Sequence, residues 1–63
     1  MKIILVFDNK EIELLDQQAQ FTEGEQVTIV EGGKHDVLRV ESLHKTVFIV
    51  GNSADLGYKV ILK

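Results

Sequence analysis

Gln26-Val-Thr-Ile-Val-Glu31, Asp36-Val-Leu-Arg-Val-Glu-Ser42 and Thr46-Val-Phe-Ile-Val50 decide the fold class. Val, Ile, Thr and Phe fill these segments, and β-branched and aromatic side chains fit a pleated, half-buried surface better than a helix. Gly32-Gly33-Lys34-His35 and Leu43-His44-Lys45 separate them. The glycines can take the positive φ that a tight reversal demands, and neither gap could hold a crossover helix. Three consecutive antiparallel strands, a β-meander, are the expectation.

Working outward, Lys2 to Phe7 alternates Ile3, Leu5 and Phe7 against Lys2, Ile4 and Val6. Both sides are largely apolar, as in a strand covered on two faces. Asp8-Asn9-Lys10 then admits two readings. In one it is a hairpin turn returning through Glu11-Ile-Glu-Leu14, with Ile12 and Leu14 inward. In the other, Asp8 and Glu11 form a capping box that opens a helix through Gln20. Glu13 to Gln20 has good helix propensity, but the helix would carry a poor apolar stripe, and the Glu-Ile-Glu-Leu alternation favours the hairpin. Asp16 to Gln20 reads as a polar loop, Phe21 as an anchor, and Gly51 to Gly57 as a second loop. Tyr58 to Lys63 closes the chain as a strand with Tyr58, Val60 and Leu62 on one side.

The expected fold is therefore all-β: one small domain over residues 1–63, built as a small SH3-like barrel or a curled antiparallel sheet of five to six strands. Met1 stands where a complete small reading frame would start. At 63 residues and 44% hydrophobic content the core is thin, and with no cysteine no disulfide or thiolate-bound metal supplements it. Self-association is one way such a chain gains stability. The apolar run Ile3 to Phe7 is too short for a signal core or a membrane span, so a cytoplasmic protein with no membrane contact is expected.

The formal net charge of −3 disfavours, without excluding, a polyanion partner. Lys34, His35, Arg39, His44 and Lys45 cluster around the two central turns, but Asp36 and Glu41 dilute them. Phe21 and Tyr58 border loops, where a ring could stack on a base or a partner side chain, or plug the end of a small barrel. These seven residues are the candidate binding set.

Gly24-Glu25-Gln26-Val27-Thr28-Ile29, Gly32-Gly33-Lys34, Val40 and Leu43 together resemble the KOW-type stretch of SH3-like barrels over about a third of the chain. There a Gly-Asp-x-Val-x-Val strand leads into a glycine- and lysine-containing turn. Here Glu25 replaces the Asp, the turn is one residue shorter, and His35 and Leu38 stand where glycine is usual. The resemblance implies an accessory of the transcription or translation machinery that makes protein or RNA contacts.

Chemistry is sparse. No phosphate-cradling glycine pattern occurs, and no cofactor is expected. Ser42 and Ser53 have only His44 and His35 as conceivable bases, and a turn at 43–45 would keep Ser42 and His44 apart. His35 and His44, at opposite ends of one strand and about 30 Å apart at ~3.3 Å per residue, cannot share a zinc ion. Asp55 among Asn52-Ser-Ala offers too few carboxylates for calcium. No catalytic or metal-binding residue is assigned.

The leading expectation is a non-enzymatic module binding a protein partner or its own copy, motivated by the two-sided apolar character of Ile3 to Phe7 and of Val47 to Val50. An RNA or single-stranded DNA contact is the alternative. A catalytic subunit of a small oligomeric barrel ranks last.

Overall fold

The computed structural model describes residues 1–63 as five strands: β1 (Lys2–Phe7), β2 (Lys10–Glu13), β3 (Gln26–Glu31), β4 (Lys34–Val50) and β5 (Ser53–Leu62). They form one sheet in the order β2-β1-β5-β4-β3, curled into a half-barrel. The all-β curled sheet is thus the fold. Its neighbours are antiparallel except β1 and β5, which run parallel from Lys2 beside Gly57 to Val6 beside Ile61. A parallel pair requires a long connection. Here all of β2, β3 and β4 intervene, so the pairing departs from a simple up-and-down meander.

The three turns follow from the residues available at positive φ. Asp8 and Asn9 (φ 54° and 59°) join β1 to β2, so the hairpin reading of residues 9–14 holds and no helix forms. Two consecutive left-handed residues define the type I′ geometry that matches the natural strand twist. Gly32 and Gly33 do the same between β3 and β4.

The expected turn at Leu43-His44-Lys45 is absent. β4 runs unbroken for 17 residues, because nothing at 43–45 takes a left-handed conformation readily and all three residues pair with β5. The third strand of the meander is therefore β5. The reversal is at Gly51 (φ 61°) and Asn52, and Ser53 to Gly57, expected as loop, is strand. Between Val40 and Ser42 the register slips by the one residue Glu41. Such a bulge bends the strand. Lys34 to Arg39 before it pair with β3, and Val40 together with Ser42 to Val50 pair with β5.

The core lies on the concave side and consists of Ile3, Leu5, Phe7, Val40, Val60 and Leu62. The chain must pass from β2 at one edge to β3 at the other, and residues 14–25 make that passage across the concave side. Leu14, Ala19 and Phe21 pack down onto the core from this segment. The cover matters, because only 8 of the 63 residues are buried. On the convex side Ile4 is also buried and Val6 is half-buried. The apolar excess read in β1 is thus largely hidden within the single chain.

Candidate interaction surface

β1 begins beside Gly57, so the part of the β4–β5 hairpin beyond that point has no further neighbour in the sheet. Val47 to Leu56 forms a two-stranded arm at one end of a molecule 40 Å long. The register puts Val47, Ile49, Ala54 and Leu56 on the side that carries Leu43 and Val60 further in. Beyond the sheet this side has nothing to cover it. Val47, Ile49 and Leu56 are 57%, 69% and 47% exposed, and Val50 on the other side is 70% exposed. Asp55 is the arm's one formal charge.

Phe48 lies on the convex side of the arm, paired with Asp55. Its ring is half-buried beneath the Lys2 ammonium, 4.9 Å from the ring centroid. An ammonium over an aromatic face is attracted by the ring quadrupole, which ties the arm's base to the start of β1.

At the opposite end the half-barrel opens into a shallow cavity of about 380 Å³ lined by Phe7, Leu38 and Leu62 with Asp8, Lys34, Asp36 and Lys63 around it. Lys10 Nζ reaches Glu31 Oε1 at 3.1 Å, linking β2 to β3 where the two sheet edges approach. Three of the four rim charges are paired: Lys34 lies 3.9 Å from Asp36, and Lys63 lies 3.1 Å from Glu41.

The seven candidate binding residues do not converge. Tyr58 donates its hydroxyl to the Ala19 carbonyl at 2.9 Å, and Phe21 packs beside the same segment, so both rings anchor the covering loop over the core. Arg39 donates to the Gly24 carbonyl at 3.0 Å. Lys34 and His35 open β4, whereas His44 and Lys45 lie about 30 Å further along it at ~3.3 Å per residue. Lys59 pairs with Glu11 at 2.8 Å, so carboxylates interrupt the cationic surface here too.

With β4 continuous, Ser42 and His44 do share a side, contrary to the expectation that a turn separates them. Ser42 Oγ and His44 Nε2 are 2.9 Å apart. A serine nucleophile also needs its base oriented by a third group and donors aimed at the developing oxyanion. No carboxylate lies within ion-pair distance of the His44 ring, and the ring is exposed. No three His, Cys, Asp or Glu side chains gather as a metal site would require, and no helix is long and apolar enough to cross a membrane.

Sequence reasoning missed the arm because it read residues 51–57 as a loop. The available signal was the alternation Ala54, Leu56, Tyr58, Val60, Leu62, which continues the last strand's inward face five positions deep. No family model, curated protein or solved structure matches the chain.

Proposed function

We propose that this chain is a non-enzymatic binding module that presents the β4–β5 arm to an apolar groove on a protein partner. One observation carries the reading: four large aliphatic side chains, Val47, Ile49, Val50 and Leu56, stand 47–70% exposed on a ribbon projecting beyond the sheet. An apolar cluster held out on a narrow ribbon costs solubility, and contact with a partner is the usual compensation. The KOW-type resemblance of Gly24 to Leu43 adds a setting, accessory contacts within the transcription or translation machinery. A nucleic-acid contact has less support, since Lys10, Lys34, Lys59 and Lys63 each face a carboxylate.

The test is a quantitative pull-down comparing the natural chain, a Val47→Lys/Ile49→Lys arm variant and an Ile12→Lys variant on β2. A partner retained by the natural chain and by Ile12→Lys but lost by the arm variant supports the reading. Equal recovery by all three, with folding confirmed by circular dichroism, overturns it.

A further inference from the structure

The two edges of the sheet differ in how they are protected. β2 has four residues, three of them charged (Lys10, Glu11 and Glu13), with Lys10 and Glu11 locked into ion pairs. Short, charged edges resist pairing with another chain. β3 at the other edge is Gln26-Val-Thr-Ile-Val-Glu31, with no lysine, no proline and no bulge against β4. It has β4 as its only neighbour, so the backbone groups of alternate residues face away from the sheet. Val30 and, on the adjacent strand, Val37 are 61% and 59% exposed.

We infer that β3 is a self-pairing edge: a second copy of this chain adds its own β3 antiparallel, with a two-fold axis through Thr28, to make one ten-stranded sheet. The occupant is argued from the sequence of the edge itself. Gln26 to Val30 carries no charge, so two copies bring no like charges together within the five-residue ladder. A two-fold axis that keeps concave side with concave side must pass through a residue, because a half-step offset reverses every side chain. With Thr28 on the axis, Val27 meets Ile29 of the other copy on the concave side, where both residues already pack against the core. On the convex side Thr28 meets Thr28, and Gln26 meets Val30. Placing Ile29 on the axis would set Glu31 against Val27, and placing Val27 there would set Glu25 against Ile29. In the Thr28 register Glu25 and Glu31 fall opposite each other just outside the ladder. Glu31 is held there by Lys10, and Glu25 accepts the Thr22 backbone N–H at 2.8 Å.

This surface is separate from the β4–β5 arm, and its test does not depend on the arm. The chain lacks cysteine. Thr28→Cys therefore places one thiol per copy, with Cα atoms about 4.5–5.5 Å apart across the axis, inside the range a disulfide spans. Under mild oxidation Thr28→Cys should be recovered mainly as a covalent dimer. Val37→Cys, also exposed but one strand further from the axis, should give only the background of random collision. Sedimentation equilibrium on the natural chain should show a monomer–dimer equilibrium that Ile49→Lys leaves unchanged. Thr28→Lys, which puts two ammonium groups opposite each other on the convex side, should weaken it by about tenfold or more. A natural chain that stays monomeric at millimolar concentration overturns the inference. So does a Thr28→Cys yield no greater than that of Val37→Cys, or a folded Thr28→Lys that dimerises as the natural chain does. None of these results bears on whether the arm binds a partner.

Discussion

Replacing Gly57 by Ala adds a single methyl group, and the structure places that methyl where there is no room. Gly57 is buried at the start of the parallel β1–β5 ladder, paired with Lys2. A Cβ built there would overlap the Lys2 carbonyl oxygen and lie 2.8 Å from its carbon and 3.0 Å from its nitrogen. All three are backbone atoms, so no side-chain rotation relieves the contact. Restoring ordinary separation at 3.4 Å moves the β1 backbone away from β5 at this end of the ladder. That displacement opens the first hydrogen bonds of the ladder, at about 1 kcal/mol each, and pulls Lys2 from the Phe48 ring, at about 0.5–1 kcal/mol. Gly57 does not have positive φ, so alanine suffers no backbone strain. It would even gain slightly by restricting the unfolded chain. The sign of the effect therefore depends on the close approach alone.

The expected loss is about 2–4 kcal/mol, within the upper range for overpacking. At ~0.05–0.15 kcal/mol per residue, a chain of this length has a total stability of about 3–9 kcal/mol. The loss should lower the melting temperature by roughly 10–25 °C. Urea unfolding followed by far-ultraviolet circular dichroism measures it directly. A Gly57→Ala variant whose midpoint shifts by the equivalent of less than about 0.5 kcal/mol at unchanged slope would falsify the claim that β1 and β5 approach this closely. Gly33→Ala is the informative companion. Gly33 sits at φ 81° with open space where a Cβ would go, so its cost of about 1–2 kcal/mol comes from backbone conformation.

Tyr58→Phe removes the donor to the Ala19 carbonyl and should cost about 0.5–1.5 kcal/mol, with protease nicking within residues 14–25 rising in step. Unchanged stability and unchanged nicking would show that the ring alone holds the covering loop. Val47→Lys/Ile49→Lys should change stability by no more than about 0.5 kcal/mol by chemical denaturation, since both side chains are already in water. A large destabilisation would mean that the arm packs against its own chain. A double-mutant cycle on Lys59 and Glu11 should give a coupling of at most about 1 kcal/mol that fades in high salt. Coupling that survives 1 M salt would contradict the partial exposure of this pair.

The strand character of β1, β3, both ends of β4 and the last part of β5 was legible because β-branched and other apolar residues recur there with period two, and the Asp8-Asn9 and Gly32-Gly33 reversals were legible because each supplies residues that tolerate positive φ. The 43–45 region misled for the opposite reason. His and Lys look like turn residues by polarity, yet neither relieves the steric cost of a left-handed backbone, and β5 offers all three residues a partner. Parallel pairing of β1 with β5 was not readable, since it joins residues more than fifty positions apart through a contact whose one local marker is Gly57. The candidate binding residues were chosen by charge and aromaticity. Where Arg39 and Tyr58 go depended instead on tertiary partners, the Gly24 and Ala19 carbonyls, and His44 meets Ser42 only because the strand runs on through 43.

The sequence's excess of aliphatic residues is resolved differently at its two sites, and the difference follows from strand length. β1 ends where the sheet ends, so Ile4 on its convex side is flanked by Glu13 of β2 and Lys59 of β5, whose aliphatic stems help to bury it. β4 and β5 outrun β1, so from Val47 to Leu56 there is no third strand to lend such stems. Shortening the hairpin to end near Thr46 and Gly57 would leave every core residue in place. The extra length therefore contributes little to the core and much to exposed apolar area. A feature that is costly in water and dispensable for the core is the one the proposed partner contact would cover.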